Sequence, residues 1–352
     1  SKDESFNTPG TIYPSGKAGN VTVSTLNGFI DLRGYVLAYS RASSGNSGGG
    51  GNVDFSAING EIFVTGIDTD SFAHNTNSAK GGNIRLLAIN GDIHTERLSS
   101  GSINVQGNST DGGSISVIST GGSIFLVPSS IYEVRISSAS VSDASGNSGN
   151  GGDILLSARD GDIVGISFGP PNLQSFSAAQ QGTSGQGGNI TLEAKNRISG
   201  LEIISLSSTG KAGDIQIHGF GDLSVANLSI LSALSSPFTY PFTSQSGRII
   251  FTSTGNLTLN NSRIASTTVG SNPADDITIT SAGTTTLNNS FITSQTSGAG
   301  DGADITVTAQ SLNLLQGSQI ATSTSGSGQA GDITILVDDQ LWLSGAGAGL
   351  FS

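Results

Sequence analysis

The chain has 352 residues, of which 51 are glycine, and it contains neither cysteine nor methionine. Without cysteine it has no disulfide bonds, thiolate metal sites or cysteine nucleophiles. The formal net charge is −12, from 26 acidic and 14 scattered basic residues. That balance argues against nucleic acids and anionic membranes as partners, because both require a concentrated basic face. No apolar run reaches the length of a membrane-spanning helix, so membrane insertion is not expected.

A strand-like motif recurs eleven times along the chain. Each copy is a polar residue followed by an apolar–x–apolar segment, and neighbouring copies are 25 to 39 residues apart, with a constant spacing of 28 in the last third. A period of this size indicates a solenoid, propeller or array, in which length does not set the number of domains. The copies begin at Asn20, Asn52, Asn83, Ser114, Asp153, Asn189, Asp214, Arg248, Asp276, Asp304 and Asp332.

Two more short strands are predicted in each repeat. The second follows an Asn-Gly or Asp-Gly turn, as at Asn27-Gly28, because these residues tolerate positive φ. The third begins with Ser-x-Ile, and a Ser/Thr tract then leads into a glycine-rich loop. The clearest second strands are 29–32, 62–64, 124–126, 223–225, 257–259 and 341–343. The clearest third strands begin at Ser262, Ser290 and Ser318.

Two folds fit this pattern. In one, the Asn-Gly turns close antiparallel hairpins, and Val23 pairs with Leu32. In the other, three strands form one coil of a parallel β-helix, and each strand pairs with its counterpart one coil on. The constant spacing and the third strand, which lacks a hairpin partner, favour the second fold. We therefore predict an all-β parallel β-helix of about eleven coils without significant helix, in which Ile277 and Ile279 point inward and Thr278 outward.

We interpret residues 1–352 as one repeat domain with an irregular lead-in over 1–18. Three insertions interrupt the repeat, and insertions in solenoids form loops on one face, which is often the binding face. They lie near 127–150, 168–182 and 235–246.

The third insertion contains three aromatic residues, Phe238, Tyr240 and Phe242. Exposed aromatic side chains on a loop are typical anchors for a glycan or a protein partner, so we predict a contact site here. The alternative is that these side chains fold back and cover the edge of a coil.

A second contact is predicted at the last repeat. Trp342, Leu350 and Phe351 continue the repeat pattern, and no capping motif follows them. An uncapped solenoid end presents open strand edges and an open core. We therefore expect these residues to contact further coils of a longer chain, or a second copy of the chain stacked end to end.

No catalytic residue, metal site or cofactor is predicted. Asp301 and Asp304 would be the best local pair for calcium, but calcium-binding rolls need a nine-residue period, so turn chemistry is the preferred interpretation. The charged residues considered for polysaccharide chemistry are interpreted as turn or solvated surface positions; they are Asp160, Asp162, Glu193, Lys195 and Arg197. Three histidines lack metal-ligand spacing and are interpreted as exposed or loop residues: His74, His94 and His218.

The order of these elements resembles the repeat region of filamentous-haemagglutinin-like exoproteins, which use two-partner secretion and are abundant in cyanobacteria. The resemblance rests on Gly-x-Ala-Gly-Asp-Ile-Thr-Ile, then a Leu-x-Leu strand, a Ser-x-Ile strand and a Ser/Thr-Gly tract. It is closest over 274–297, 303–324 and 330–352 and looser before about 245. It implies a right-handed parallel β-helix and export through an outer-membrane transporter. The family's secretion motif Asn-Pro-Asn-Gly is absent, so the chain resembles a downstream piece of a longer exoprotein.

These observations predict a non-enzymatic extracellular or cell-surface rod, a shaft or filament component of a secreted haemagglutinin-like protein. The expected partners are further coils or copies of the chain, a cell-surface glycan or protein and, by resemblance, the secretion transporter. The alternative is a β-helical polysaccharide-acting enzyme, either a lyase or a glycosidase. A pair of carboxylates with perturbed pKa values in a groove would favour the enzyme.

Overall fold

A computed structural model describes residues 3–5, 15–127, 135–166, 172–232 and 245–352. Within these ranges the chain forms 29 strands and no helix, and the strands pair in parallel as a β-solenoid of about ten turns. The predicted parallel β-helix is therefore confirmed, and the antiparallel hairpin alternative is wrong. The same ranges contain no helix long and apolar enough to cross a membrane.

The eleven predicted first strands stack in one continuous ladder, and we number the coils 1 to 11 from these strands. Like residues lie over like: Ile277 pairs with Ile305, and Ile305 pairs with Ile333. The first strands are Val21–Thr25, Val53–Ala57, Ile84–Ala88, Ile115–Ser119, Ile154–Ala158, Ile190–Ala194, Ile215–Gly219, Ile249–Ser253 and Ile277–Ser281, followed by the opening halves of Ile305–Leu315 and Ile333–Ser344.

Second and third strands complete each coil, and Asp3–Ser5 pairs with the third strand of coil 1. The second strands are Ile30–Leu37, Ile62–Asp68, Ile124–Leu126, Ile163–Gly165, Leu257–Asn260, Thr284–Asn288 and the closing halves of the two long strands above. The third strands are Ser40–Ala42, Ser71–Ala73, Arg135–Ser142, Asn172–Ala179, Arg263–Thr268, Phe291–Thr296, Gln319–Thr324 and Gly349–Phe351. In coils 3, 6 and 7 one strand supplies both, namely Ile93–Asn104, Arg197–Ser207 and Leu223–Ser232.

The apolar core runs through the interior of the coils. Alternate residues of the first and second strands point inward, and Ile277, Ile279 and Leu287 are completely buried, as predicted for the two isoleucines. Outward Thr278 is half-buried and stacks on Thr306 of the next coil. Each fully buried aliphatic side chain contributes roughly 1.5–3 kcal/mol, so every coil adds to the stability of its neighbours.

The interior beside the third strands is polar. In coils 1 to 6 a buried serine of the third strand bonds to a residue of the glycine-rich loop that precedes the first strand of that coil. Ser71 is typical: its hydroxyl donates to the carbonyl of Gly48 at 2.7 Å and lies 2.7 Å from the Ser47 hydroxyl. Since buried hydroxyls are costly only when they lack partners, these contacts allow a polar interior at this corner.

An asparagine–aspartate ladder precedes the first strands. The side-chain oxygen of each residue accepts the backbone N–H of its counterpart one coil on. Asn20 accepts from Asn52 at 2.9 Å, and Asp304 accepts from Asp332 at 2.8 Å. The asparagines and aspartates that open most repeats therefore link successive coils, and the ladder is interrupted where Ser114 and Arg248 take that position.

Strand pairing shows that parts of the predicted insertions belong to regular strands. The first two contain regular third strands, Arg135–Ser142 and Asn172–Ala179, which pair with coils on both sides. The rest of the first two insertions, residues 128–134 and 167–171, and residues 233–244 of the third lie outside the described residues.

Candidate functional site

A column of stacked rings lies on the outer face of the second strands in coils 2 to 4. It consists of Phe63, His94 and Phe125, and we call it the aromatic column. Strand register places Phe63 beside His94 and His94 beside Phe125. The ring centroids are 4.3 and 4.9 Å apart, with interplanar angles of 6° and 16°. These distances match the coil spacing of about 4.8 Å, so the rings stack along the rod axis.

The middle ring of the column is held uncharged. Burial between the two phenyl rings lowers the pKa of His94 below its ordinary value, and the nearby carboxylates Asp92 and Glu61 oppose that shift only in part. When the pH falls below about 6.5, the unfolded chain takes up a proton before the folded chain does. Acid therefore weakens this part of the rod, and at neutral pH the column presents an apolar surface.

Two grooves meet at the coil-1 end of the column. One has a volume of about 440 Å³ and includes Phe29, and the other has a volume of about 580 Å³ and includes Tyr35; Arg33 and Phe63 line both. A β-bulge before Tyr35 redirects the strand, and the Tyr35 ring lies over Gly66, where a Cβ atom would be 2.5 Å from the ring. Phe29 and Tyr35 are 70% and 58% exposed.

Two exposed apolar residues lie near the opposite end of the column, in coils 4 and 5. They are Val127 and Ile166, which are 36% and 51% exposed. Both follow directly after their second strands, which pair in register as Leu126 with Gly165. The aromatic column and the two grooves therefore occur together on the face formed by the second strands, and concave surfaces with apolar lining are typical binding sites.

A carboxylate pair, Asp68 and Asp70, lies at the corner between the second and third strands of coil 2. The Asp70 backbone N–H donates to Asp68 at 2.9 Å, and the Asp70 carboxylate accepts bonds from the Ser99 hydroxyl at 3.0 Å and the Gly101 N–H. Burial, and after it the negative charge of Asp68, raises the pKa of Asp70 to about 7, although the hydrogen bonds from Ser99 and Gly101 act in the opposite direction. Neither carboxylate lines the two grooves.

The raised pKa of Asp70 predicts a pH-dependent stability. Between about pH 4 and pH 7 the folded chain keeps a proton that the unfolded chain has released, so stability falls with rising pH by at most about 1.4 kcal/mol per unit. Asp70→Asn should therefore raise the thermal midpoint relative to the wild type at pH 8, with the advantage shrinking toward pH 4. Asp301→Asn is the matched control, because exposed Asp301 also accepts a backbone N–H, from Gln329 at 2.8 Å. If the thermal midpoints of all three proteins depended on pH in the same way, the raised pKa of Asp70 would be contradicted.

The charged residues considered for polysaccharide chemistry are brought together as ion pairs. Lys195 contacts Asp160 at 3.1 Å, and Arg197 contacts Asp162 at 3.1 Å, each across adjacent coils. Glu193 accepts a hydrogen bond from Ser157 at 2.6 Å. This arrangement places each aspartate beside a cation rather than beside a second carboxylate, so it lacks the paired acids of a glycosidase.

The aspartates considered for calcium have backbone partners. Asp301 accepts the N–H of Gln329, and Asp304 accepts the N–H of Asp332, so both carboxylates bond to the backbone of the next coil. Across the part of the chain that the structure describes, no group of three or more His, Asp or Glu side chains could hold a metal ion.

The predicted contact residues lie elsewhere. Phe238, Tyr240 and Phe242 fall outside the described residues. Trp342, Leu350 and Phe351 belong to coil 11, far along the rod from the aromatic column, and are 52%, 37% and 48% exposed. Their contact with further coils or with a second copy stays a prediction.

Sequence reasoning missed the aromatic column and placed His94 among exposed or loop residues. The structure corrects this: His94 lies within Ile93–Asn104, between two rings. His218 also lies in a strand and bonds to Thr252 at 2.7 Å, whereas His74 is exposed. The available signal was the 31-residue spacing from Phe63 to His94 and from His94 to Phe125 at an outward strand position.

Comparison with known proteins adds no relative to these observations. The chain matches no protein-family profile, no curated protein and no solved structure.

Proposed function

We propose that this protein is a non-enzymatic β-helical rod that adheres to glycans through the face bearing the aromatic column. The observation that supports this proposal is the column of Phe63, His94 and Phe125, which ends at two open grooves. Aromatic rings beside a few polar groups are the usual recognition surface for sugars, whose C–H faces are apolar and whose rims are polar.

The sequence resemblance supports the setting in which such a rod would act. We place it at the cell surface or outside the cell, as a shaft or filament component of a filamentous-haemagglutinin-like exoprotein exported through an outer-membrane transporter. Further coils or a second copy would contact Trp342, Leu350 and Phe351, and the loop with Phe238, Tyr240 and Phe242 would supply a second glycan or protein contact.

The proposal predicts that removing the column abolishes adhesion without unfolding the rod. The triple variant Phe63→Ser, His94→Ser and Phe125→Ser should lose retention on immobilised insoluble polysaccharides, measured by pull-down and titration. Phe291→Ser is the matched control, because Phe291 is also half-buried and outward-facing but lies on a third strand of coil 9. Thermal midpoints would show that both variants fold. Equal retention of the wild type and the folded triple variant would contradict the proposal.

One observation favours the enzyme alternative. Asp70, with a pKa raised to about 7 beside Asp68, has the property of a poised proton donor. A lyase or glycosidase would release unsaturated or reducing ends from a polysaccharide, and Asp70→Asn would stop that release. Activity that survives in Asp70→Asn, or no release by the wild type, would count against this alternative.

A further inference from the structure

The aromatic column stops at coil 1. Asp31 occupies the position in register with Phe63, so the face of Phe63 turned toward coil 1 has no ring stacked on it. The Asp31 carboxylate is held by Arg33, whose Nε lies 3.1 Å from both carboxylate oxygens. The short side chain of Asp31, bonded to Arg33, therefore occupies the position that holds a ring in coils 2 to 4.

The space beside Phe63 is shaped for a flat ring with a polar rim. Its two sides are the grooves of about 440 and 580 Å³, which meet at Arg33 and Phe63. Phe29 and Tyr35 flank it with exposed rings. Polar groups on its rim offer both hydrogen-bond acceptors and donors, from Asp31, Glu61, Arg33 and Asn59.

We propose that one uncharged hexopyranose residue of a glycan stacks on the free face of Phe63, in the position that the next ring of the column would take. This inference rests on the proposed function and specifies its subsite. The apolar C–H face of the sugar would cover Phe63, about one coil spacing of 4.8 Å away, while its hydroxyls bond to Asp31 and Arg33.

Charge selects the class of sugar. Arg33 is engaged by Asp31, and Glu61 and Asp92 add negative charge beside the column without a cation from His94. The whole chain also carries −12. Uronic-acid and sulfated glycans would meet repulsion here, whereas hexoses and N-acetylhexosamines would not.

The test places an aromatic ring in the position beside Phe63 that the sugar would take. Asp31→Phe extends the column into the subsite, so it should weaken binding of neutral oligosaccharides by about tenfold or more, as expected when one ring-face contact is lost. Thr278→Phe is the control: it adds the same ring at an outward, half-buried position of a first strand in coil 9, away from the column, and should change affinity by less than about threefold. The probes are gluco- and N-acetylglucosamine-oligosaccharides, with uronate oligosaccharides of equal length as comparison. Saturation-transfer NMR should show aromatic contact to pyranose C–H protons, and thermal midpoints should show that both variants fold.

The outcomes separate this subsite from the broader function. Suppose that folded Asp31→Phe binds like the wild type while the triple column variant does not bind. The sugar would then contact another part of the column, and the subsite would be wrong while the proposed function stands. Tighter binding of uronate than of neutral oligosaccharides would overturn the assigned class. A wild-type protein that binds none of these glycans would overturn the proposed function together with the subsite.

Discussion

Ile305→Asp should unfold the carboxyl-terminal coils at temperatures where the wild type is intact, with a loss of at least about 3 kcal/mol. Ile305 is completely buried between Ile277 and Ile333, and no cationic side chain points into the interior there. A carboxylate at this position would lose its hydration without gaining a partner, and the pair of β-branched contacts along the ladder would also be lost. Circular dichroism melting and proteolysis would measure the effect.

Thr306→Asp is the matched control for that experiment. Thr306 is the next residue of the same strand, points outward, and lies between Thr278 and Thr334. An aspartate there stays in water, so the expected change is within about 1 kcal/mol, the range of strand propensity. Equal shifts of the thermal midpoint for the two variants would mean that the inward and outward assignment is wrong.

Gly213→Ala should destabilise the rod through a direct clash between neighbouring coils. Gly213 lies in the glycine-rich corner directly before a first strand, and a Cβ atom there would be 2.2 Å from the Gly188 carbonyl oxygen of the preceding coil. That oxygen belongs to the backbone, so relief requires the two coils to move apart and stretches the neighbouring ladder bonds. We expect a loss of about 1–3 kcal/mol, the usual cost of overpacking.

Gly221→Ala controls for the loss of glycine as such. Gly221 lies in the turn between the first and second strands of coil 7, and the nearest atom to an added Cβ is the Lys195 carbonyl oxygen at 3.9 Å. The substitution should be neutral or slightly stabilising, because alanine restricts the unfolded chain. If both variants lose the same stability in denaturant titrations, close coil packing is not the reason for glycine at Gly213.

The repeat was readable from sequence because the first two inward positions of the first strand are apolar in every coil, as at Ile115 and Val117. The polar–apolar–x–apolar motif therefore recurs in every coil, and segments such as Ile124–Leu126 could be assigned directly. The third strands were harder to assign. Serines such as Ser140 and Ser177 are buried in them, yet serine is equally common in loops, so a Ser/Thr tract does not reveal which residues point inward.

The candidate site was harder to predict than the fold, for a physical reason. A ring column forms only when outward residues of successive coils lie in register. Insertions change the spacing between coils elsewhere in the chain. The sequence around Phe63 or Phe125 taken singly therefore does not indicate a stack. Asp70 is an even clearer case. Its pKa depends on burial and on Asp68, Ser99 and Gly101, and only the folded coils bring the last two to it.

The coil spacing also gives the rod a defined mechanical response. Because each coil is held mainly by its neighbours, a force applied at the carboxyl end would peel coils off one at a time. The register from Ile249 to Ile277, Ile305 and Ile333 advances 28 residues each time, so each of these coils would release roughly 95 Å of extended chain. Farther in, the increments become unequal, from 25 residues between Ile190 and Ile215 to 39 between Ile115 and Ile154. A stretched rod would thus dissipate load in small sequential steps, leaving the coils with the aromatic column folded until late in the extension.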